Sequence, residues 1–287
     1  MSGDDPRRGI AGIPGYHDLD ERGEALAAAR RMEDRAEAPA SGRMFDELVA
    51  PLLAPAPSAI LEIGCGTGAL SRRVARRLPG STVYATDKSA GMLRFAAERA
   101  EGVDGLENLR LGRWDATAPG EFPFAEAGPF GLILSSVLVP YLEDAETAAL
   151  VDYLASRLAP GGVLAFIEQD LLTDSVGFPR HDLLRRVYAK DARDLDATMS
   201  LGLRPLLRRA GLEPLPRRSL LWTDEEYLPY TRGLLAGLAG LADAAQRSGR
   251  ITAEERGEWG ETLERQAANE DFYYGLVYHR LAGRREG

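Results

Sequence analysis

The sequence predicts an α/β protein whose core is a doubly wound parallel sheet. Two observations lead to this fold class. Strand-like apolar runs alternate with helix-compatible stretches between positions 59 and 168, which is the pattern of successive βαβ units. The first run, Ala59–Ile63, leads directly into three closely spaced glycines and then a helix-compatible stretch that begins near Ala69. A strand that is apolar along its whole length fits a sheet buried on both faces.

The other elements follow in regular order. Strands are expected at 82–86, 108–111, 129–137, 162–168, 215–222 and 272–281, and helices at 90–100, 145–158, 200–210 and 224–246. Residues 171–193 form a less regular region. The helix expected at 200–210 ends at Gly211. A further helix is expected to begin at Thr252, because Thr252-x-x-Glu255 has the spacing of a capping box.

The segment before the first strand has a different composition. Its beginning is rich in Gly, Pro and Asp, which is typical of a mobile arm, and helices are expected at 21–38 and 44–53. The chain then divides into an arm at 1–20, N-terminal helices at 21–57, an α/β core at 58–222, a helical cap at 223–270, and the last strand with the C-terminal tail at 271–287.

Composition narrows the choice of partners. The 287 residues are 45% hydrophobic and can bury one large core, and the formal net charge of −9 argues against nucleic acid as a partner. The arginines of the helix after the glycines are expected on a solvated face; they are Arg72, Arg73, Arg76 and Arg77. Cys65 is the only cysteine, which excludes an intrachain disulfide and fits a cytoplasmic protein. The longest apolar tract, 233–242, is too short to cross a bilayer, so no membrane partner is expected.

The glycine turn predicts a cofactor site. Glycines let backbone N–H groups approach a ligand closely, and the following helix directs its N-terminal amides to the same place. The spacing Gly64-x-Gly66-x-x-Ala69 also satisfies the pattern of dinucleotide binding. Glu62, two residues before the first glycine, would face a pyrophosphate unfavourably but suits a ligand that carries positive charge. S-adenosylmethionine, with a sulfonium, an ammonium and no phosphate, is such a ligand.

The stretch Leu61-Glu62-Ile63-Gly64-Cys65-Gly66-Thr67-Gly68 closely resembles the first motif of class I S-adenosylmethionine-dependent methyltransferases. The resemblance extends over roughly 45–211 and implies a Rossmann-like sheet of seven strands, the last of them antiparallel. One departure is Gly131, which stands near the start of the fourth strand where the family frequently has an aspartate.

The resemblance also implies roles for side chains after the following strands. Asp87 stands where the family binds the ribose hydroxyls, although an acid that only begins a helix would look the same. Asp115 and Trp114 stand where the adenine amine and ring are bound, and Met92 stands where adenine packs, or where a core methionine would. The full set of expected cofactor residues is Glu62, Gly64, Cys65, Gly66, Gly68, Asp87, Lys88, Met92, Trp114, Asp115 and Ser135. Cys65 is expected as a small filler and not as a nucleophile.

The chemistry implied by this resemblance leaves the catalytic residues poorly specified. A sulfonium is an activated methyl donor, so the protein has to align a nucleophile and remove a proton where one is lost. The candidates at strand ends and in the cap are His181, Tyr141 and Glu168, followed by Asp170, Trp222 and Tyr227. His181 has the most suitable ordinary pKa for a base, whereas His17 and His279 are not favoured. The sequence lacks a cluster of residues at metal-ligand spacing, and a metal-free site is expected.

The cap contributes a row of apolar side chains, namely Leu228, Tyr230, Leu234, Leu235, Leu238 and Leu241. They either wall a pocket for a small, cyclic substrate or bury the face of a homodimer. The leading hypothesis is a methyltransferase of secondary metabolism that acts on an oxygen, nitrogen or carbon atom of a small molecule. A cyclase or isomerase that keeps the cofactor site is the alternative, and an NAD-dependent oxidoreductase is a third.

Overall fold

The computed structural model describes residues 18–118, 122–189, 202–228, 230–231 and 237–287. The helices are α1 (Ala25–Glu37), α2 (Pro39–Met44), α3 (Ala69–Arg77), α4 (Ala90–Ala100), α5 (Asp144–Ser156), α6 (His181–Val187), α7 (Leu203–Arg209), α8 (Gly237–Arg247) and α9 (Ala253–Ala268). The strands are β1 (Ala59–Ile63), β2 (Thr82–Asp87), β3 (Leu109–Arg113), β4 (Phe130–Ser136), β5 (Leu158–Val176), β6 (Leu212–Pro214), β7 (Arg218–Asp224) and β8 (Tyr274–Arg285).

All of these strands belong to one sheet of order β3-β2-β1-β4-β5-β8-β6, with β7 also paired to β8. The strands β1 to β5 are parallel, and β8 runs antiparallel to β5. The doubly wound α/β class and the antiparallel last strand are therefore confirmed. Because β1 lies beside both β2 and β4, the chain reverses its winding direction there, and a crevice opens at the carboxyl ends of these strands.

The sixth strand differs from the prediction. Instead of one strand at 215–222, the chain forms β6 and β7 on the same edge of β8, paired with 283–285 and 274–280 respectively. Pro214 and Pro216 account for the interruption, because neither residue has an N–H group to donate to the neighbouring strand. Leu215 between them still donates its backbone N–H to the carbonyl of Ala282 at 2.8 Å.

Several boundaries were also predicted wrongly. The supposed irregular region after position 170 begins as strand, because β5 extends to Val176, and it then forms α6. The expected helix at 224–246 does not begin at its predicted start, since Asp224 ends β7; residues 230–231 are helical, and α8 covers the described residues from Gly237. The expected helix at 44–53 is a π-helical turn, Phe45–Val49, followed by a 3-10 turn, Ala50–Leu52. The capping box of Thr252 and Glu255 is present as predicted.

The N-terminal segment packs against the sheet layer from residue 18 onward. Leu19 is buried with Met92 and three alanines of α1. The carboxylate of Asp20 accepts hydrogen bonds from the backbone N–H groups of Ala90 at 2.7 Å and Gly91 at 2.9 Å, and so caps α4. The end of the expected arm is thus part of the folded protein, while residues 1–17, including His17, lie outside the described residues.

Two larger hydrophobic clusters cover the two faces of the sheet. One contains α2, the π-helical turn and the described part of the cap, and the other contains α5 and α7. Within the ranges given above, no helix is both long and apolar enough to span a membrane. Helices α1 and α2 lie over the carboxyl ends of the parallel strands, where the site is expected.

Candidate active site

The turn between β1 and α3 has the backbone geometry that its glycines predict. Gly64, Gly66 and Gly68 all have positive φ, at 64°, 53° and 72°. A Cβ atom at Gly64 would lie 3.1 Å from the side chain of Leu138, and one at Gly66 would clash with the terminal methyl of Met32. The glycines therefore form a cradle that Leu138 and Met32 cover closely, with the Met32 methyl already at the place where a Cβ of residue 66 would lie.

Two acids lie on either side of this cradle. Glu62 is buried, and its carboxylate accepts a hydrogen bond from the Ser71 hydroxyl; burial nevertheless raises the pKa of Glu62 to about 7. Asp87 accepts from the backbone N–H groups of Gly66 at 2.8 Å and Ser89 at 2.9 Å. Burial raises the pKa of Asp87, and these two donors oppose that shift. Asp87 therefore fixes the conformation of the glycine turn directly.

A cavity of about 90 Å³, partly open to solvent, begins at the cradle and extends under α1 and α2. The residues that line it are Met32, Arg35, Ala36, Ser41, Met44, Phe45, Glu62, Gly64, Cys65, Thr67, Ala69, Leu70, Arg73, Ser136 and Trp222. The cavity thus joins the end of β1 to the end of β4 and to the edge strand β7.

The wall opposite the glycine turn is aromatic. Trp222 is buried, and its indole N–H lies 3.0 Å from both the Asp224 carboxylate and the Tyr230 hydroxyl. The guanidinium of Arg35 lies 5.3 Å from the centre of the Trp222 ring and 5.4 Å from that of Tyr278, within the range of cation–π contacts. Arg35 also donates a hydrogen bond to the Tyr278 hydroxyl. We refer to these five residues as the far wall.

A family model described as a methyltransferase domain matches residues 60–162, the part of the chain that contains β1 to β4 and the glycine turn. Residues 60–162 thus have the sequence of a methyltransferase domain. This confirms the family and the cofactor class that the glycine motif predicted.

Individual curated proteins are also similar to part of this chain. The trans-aconitate 2-methyltransferase of Paracidovorax citrulli is 32% identical over 164 residues, which cover 57% of this chain and 55% of that protein. The biotin biosynthesis bifunctional protein BioCD of Bordetella avium is 39% identical over 140 residues, which cover 48% of this chain and 28% of that protein. The chain therefore spans about half the length, or less, of these curated relatives.

Among solved structures, an O-methyltransferase family protein from Burkholderia thailandensis superposes with a TM-score of 0.53. It is 14% identical, and the match covers 94% of this chain and 63% of that protein. At this level of identity the similarity concerns the fold alone.

The methyltransferase domain brings most of the expected cofactor residues together. Glu62, Gly64 and Cys65 line the cavity, and Asp87 is hydrogen-bonded to Gly66 within the same turn. Lys88 directly follows Asp87, and its carbonyl accepts a hydrogen bond from Arg113. Ser135 is fully buried and its hydroxyl has no partner among the described residues, whereas the adjacent Ser136 lines the cavity. Ser136, which the sequence did not single out as a cofactor residue, is thus the better-placed serine.

The residues expected near the adenine lie around this region but not on the cavity lining. Met92 is buried in the cluster with Leu19 and α1. Trp114 is buried against Phe122 and Tyr153, with ring centres 5.3 Å and 5.7 Å away. Both side chains therefore act as core residues in this structure. Asp115 is half-buried, and its carboxylate accepts from the backbone N–H and hydroxyl of Thr117.

The three catalytic candidates are not brought together. His181 is exposed at the first position of α6, outside the lining of the cavity, which removes its support as a base. Tyr141 ends the 3-10 turn Val139–Tyr141 and is half-buried. Glu168 is fully buried, accepts from the backbone N–H groups of Leu138 and Val139, and has a pKa raised to about 8 by burial. Glu168 thus holds the loop that follows β4.

The remaining candidates have structural contacts. Asp170 and His279 lie 3.3 Å apart, and Tyr227 stacks on Phe272 with ring centres 4.9 Å apart. Of the cap residues expected around a pocket, Tyr230 and Leu241 are buried, while Leu234 and Leu235 lie outside the described residues. The described ranges contain no group of three or more His, Cys, Asp or Glu residues placed to hold a metal ion.

The prediction that the four arginines of α3 lie on a solvated face was wrong for two of them. Arg72 is buried, pairs with the buried carboxylate of Glu33 at 2.7 Å and donates to the carbonyl of Thr67. Arg73 donates to the backbone carbonyls of Ala36 and Ser41. These two arginines therefore attach α1 to the glycine turn, and only Arg76 and Arg77 are exposed as expected. The sequence gives no sign of these contacts with α1 and α2, because Glu33, Ala36 and Ser41 lie more than thirty positions away from their arginines.

Proposed function

We propose that the protein is a methyltransferase that binds S-adenosylmethionine at the glycine turn and methylates a small molecule held between this turn and the far wall. The observation that supports the proposal most directly is the continuity of the cavity. It begins at Glu62, Gly64, Cys65 and Thr67 and continues to Trp222. Donor and acceptor would therefore share one continuous space, as an in-line transfer requires.

The cradle fits this cofactor in shape and charge. The cradle leaves no room for a Cβ at Gly66, where the Met32 methyl lies, and little at Gly64, where Leu138 lies. Each carboxylate oxygen of Asp87 accepts one backbone hydrogen bond and keeps capacity for another, which suits the two ribose hydroxyls. Glu62, beneath the turn, would favour the positively charged portion of the ligand. Asp115, after β3, would accept from the adenine amine.

The bound cofactor supplies an activated methyl group, and the protein's own contribution is alignment and exclusion of water. Met32 and Phe45, which line the cavity from α1 and the π-helical turn, would cover the reacting atoms. Trp222, fixed by Asp224 and Tyr230, would present a rigid face to the acceptor. Such preorganisation is the main means by which a site of this kind accelerates transfer.

Calorimetry and a transfer assay test the proposal. We expect S-adenosylhomocysteine to bind and NAD to produce no heat, and we expect labelled methyl to move from S-adenosylmethionine to a small acceptor. Gly66→Ala should weaken cofactor binding about tenfold or more, because the new Cβ would displace the Met32 methyl that covers the cradle. Binding of NAD alone, or conversion of an acceptor with no transfer of label, would contradict the proposal.

Gly249→Ala is the matched control. Gly249 has a φ of 74°, close to that of the cradle glycines, and a Cβ there would meet nothing within 4 Å. Both alanine variants carry a similar backbone strain, on the order of 1 kcal/mol. Only the variant in the cradle should lose cofactor affinity, and equal losses in both variants would show that strain alone is responsible.

A further inference from the structure

Three polar side chains contact one another outside the cavity, on strands β5, β7 and β8. The hydroxyl of Ser219 lies 2.7 Å from Nδ1 of His279, and Nε2 of the same ring lies 3.3 Å from the Asp170 carboxylate. Ser219 and His279 are direct partners in the antiparallel pair of β7 and β8, and Asp170 lies on β5, on the other side of β8. Neighbouring strands of the sheet therefore hold a serine, a histidine and an aspartate in contact.

The carboxylate of Asp170 determines which nitrogen of His279 carries the proton. An ionised carboxylate can only accept hydrogen bonds, so Nε2 must be protonated in order to donate to it. In the neutral ring, Nδ1 then has a lone pair and accepts from the Ser219 hydroxyl. Asp170 is itself fixed, because its other carboxylate oxygen accepts from the backbone N–H of Leu172 at 3.1 Å. The arrangement is that of a nucleophile, a base and a group that orients the base.

The exposure of the three side chains suits this chemistry. The side chains of His279 and Asp170 are only 12% and 15% exposed, so little water competes for the contact between them. Ser219 is exposed and can be reached by a ligand from solvent. Leu221, two positions along β7 on the same face, is 51% exposed and pairs with Val277 of β8. An apolar surface for part of a ligand therefore lies next to the serine.

The edge position of β7 also provides a hydrogen-bond donor. Among the described strands β7 pairs only with β8, and Thr223 directs its carbonyl away from β8 to the side chain of Arg43. Backbone groups alternate in direction along an antiparallel strand, so Ser219, four positions before Thr223, has its N–H group on the same outer edge. This N–H group can donate to an oxygen that becomes negatively charged beside the Ser219 hydroxyl.

The three residues lie on the other face of the sheet from the cavity. Trp222 lines the cavity, and successive side chains along a strand point to opposite faces of the sheet. Ser219 and Leu221 are three positions and one position before Trp222, so both point away from the cavity. Chemistry at Ser219 would therefore proceed without the cofactor and without the proposed methyl acceptor.

We propose that Ser219 and His279 form a separate catalytic site, with Asp170 as a positioning residue, and that this site hydrolyses small esters with an apolar acyl group. Nδ1 of His279 takes the hydroxyl proton as Oγ of Ser219 forms a bond to the carbonyl carbon of the ester. The bond to the alcohol oxygen then breaks, and this oxygen takes the proton from His279. Water attacks the acyl-serine by the same route, which releases the acid and restores the serine. The overall reaction converts ester and water into acid and alcohol.

A fluorophosphonate probe and two p-nitrophenyl esters, the acetate and the butyrate, test the proposal on the full chain. The probe forms a covalent bond to an activated serine and loses fluoride. We expect one probe per chain, located on Ser219 by peptide mass, and faster hydrolysis of the butyrate than of the acetate. Absence of labelling, or a probe on another residue, would overturn the proposal, and equal rates for the two esters would overturn the apolar acyl group.

Saturating S-adenosylhomocysteine separates this site from the cavity. We expect it to leave the rate of ester hydrolysis unchanged, because Ser219 and the cavity lie on opposite faces of the sheet. Inhibition of hydrolysis by this ligand would assign the reaction to the cavity and overturn the proposal. Failure of the ligand to bind would contradict the methyltransferase function alone, and labelling of Ser219 would still decide the hydrolytic site.

Variants of the three residues test their separate roles. Ser219→Ala should abolish labelling and lower kcat for the butyrate about a hundredfold or more, and His279→Gln should lower kcat similarly because the base is lost. Asp170→Asn should lower kcat about tenfold or more and leave KM within about twofold, because an amide can also donate and no longer fixes the tautomer of His279. A kcat in Ser219→Ala equal to that of the wild type would overturn the proposal.

Ser156→Ala is the matched control. Ser156 is also an exposed serine, but its hydroxyl donates to the backbone carbonyl of Tyr153 at 2.6 Å. We expect this variant to keep the labelling of Ser219 and the kcat of the wild type, and thermal unfolding verifies that all variants are folded. A loss of hydrolysis in Ser156→Ala equal to that in Ser219→Ala would show an effect that is not specific to the site and would also overturn the proposal.

Discussion

The two ends of the cavity are built in different ways. At the cofactor end, Gly66 and Asp87 are 21 positions apart in the chain and belong to consecutive strand–helix units. At the far wall, Arg35 and Tyr278 are 243 positions apart and come from the first and last described elements. The cofactor end therefore depends on residues close together in the sequence. The proposed acceptor end forms only when α1, near the start of the described chain, packs against β8, near its end.

The ion pair of Arg72 and Glu33 joins these two regions, and removing it provides the most severe test. Arg72→Met would leave Glu33 buried without its main partner, because Arg99, which also contacts Glu33 at 3.3 Å, is about half exposed. We expect the free energy of unfolding to fall by about 3–5 kcal/mol in urea titrations. Arg76→Met, on the exposed face of the same helix, should change it by less than about 0.5 kcal/mol. Similar small changes in both variants would mean that the two regions are joined by other contacts.

Glu168 provides a pH-dependent test of the loop after β4, which lies between the two ends of the cavity. Its folded pKa of about 8 lies above the ordinary value of 4.5, so the folded state retains a proton that the unfolded state has released. Stability must therefore fall as pH rises between these values and level off above about 8. Glu168→Gln removes this titration, and the wild-type protein should lose about 3 kcal/mol relative to the variant from pH 5 to pH 8.

Denaturant unfolding at several pH values measures this difference. If Glu168 only holds the loop after β4, kcat of the variant should stay within a few-fold of wild type. A large loss of kcat with a flat stability difference would restore Glu168 as a catalytic candidate.

Glu62 should produce a smaller effect, and one confined to the cofactor end. Its pKa is about 7, and its charged neighbours are Asp87, which raises this pKa, and Arg72, which lowers it. As pH rises from 6 to 8, Glu62 ionises, and affinity for the cationic cofactor should increase about fivefold, on the order of 1 kcal/mol for a partly screened charge pair. Calorimetry should find no such increase in Glu62→Gln. An identical pH dependence in both proteins would exclude Glu62 as its source.

The difference between the two ends also explains which features the sequence could reveal. The glycine turn, Asp87 and the capping box at Thr252 depend on neighbouring residues, and patterns over a few positions predicted them. The burial of Arg72, the hydrogen bonds of Arg73 and the stacking of Arg35 on Trp222 depend on partners distant in the chain. The exposed position of His181 at the start of α6 likewise depends on the fold around it and not on its residue type.

The placement of Cys65 has a practical consequence. It is the only thiol among the 287 residues, and it lines the cavity within the glycine turn. Burial raises the pKa of this thiol, so alkylating reagents will react with it slowly at neutral pH. Alkylation of Cys65 adds a single mass tag to each chain. The extent of this tagging would therefore report whether the glycine turn is occupied, with no engineered labelling site needed.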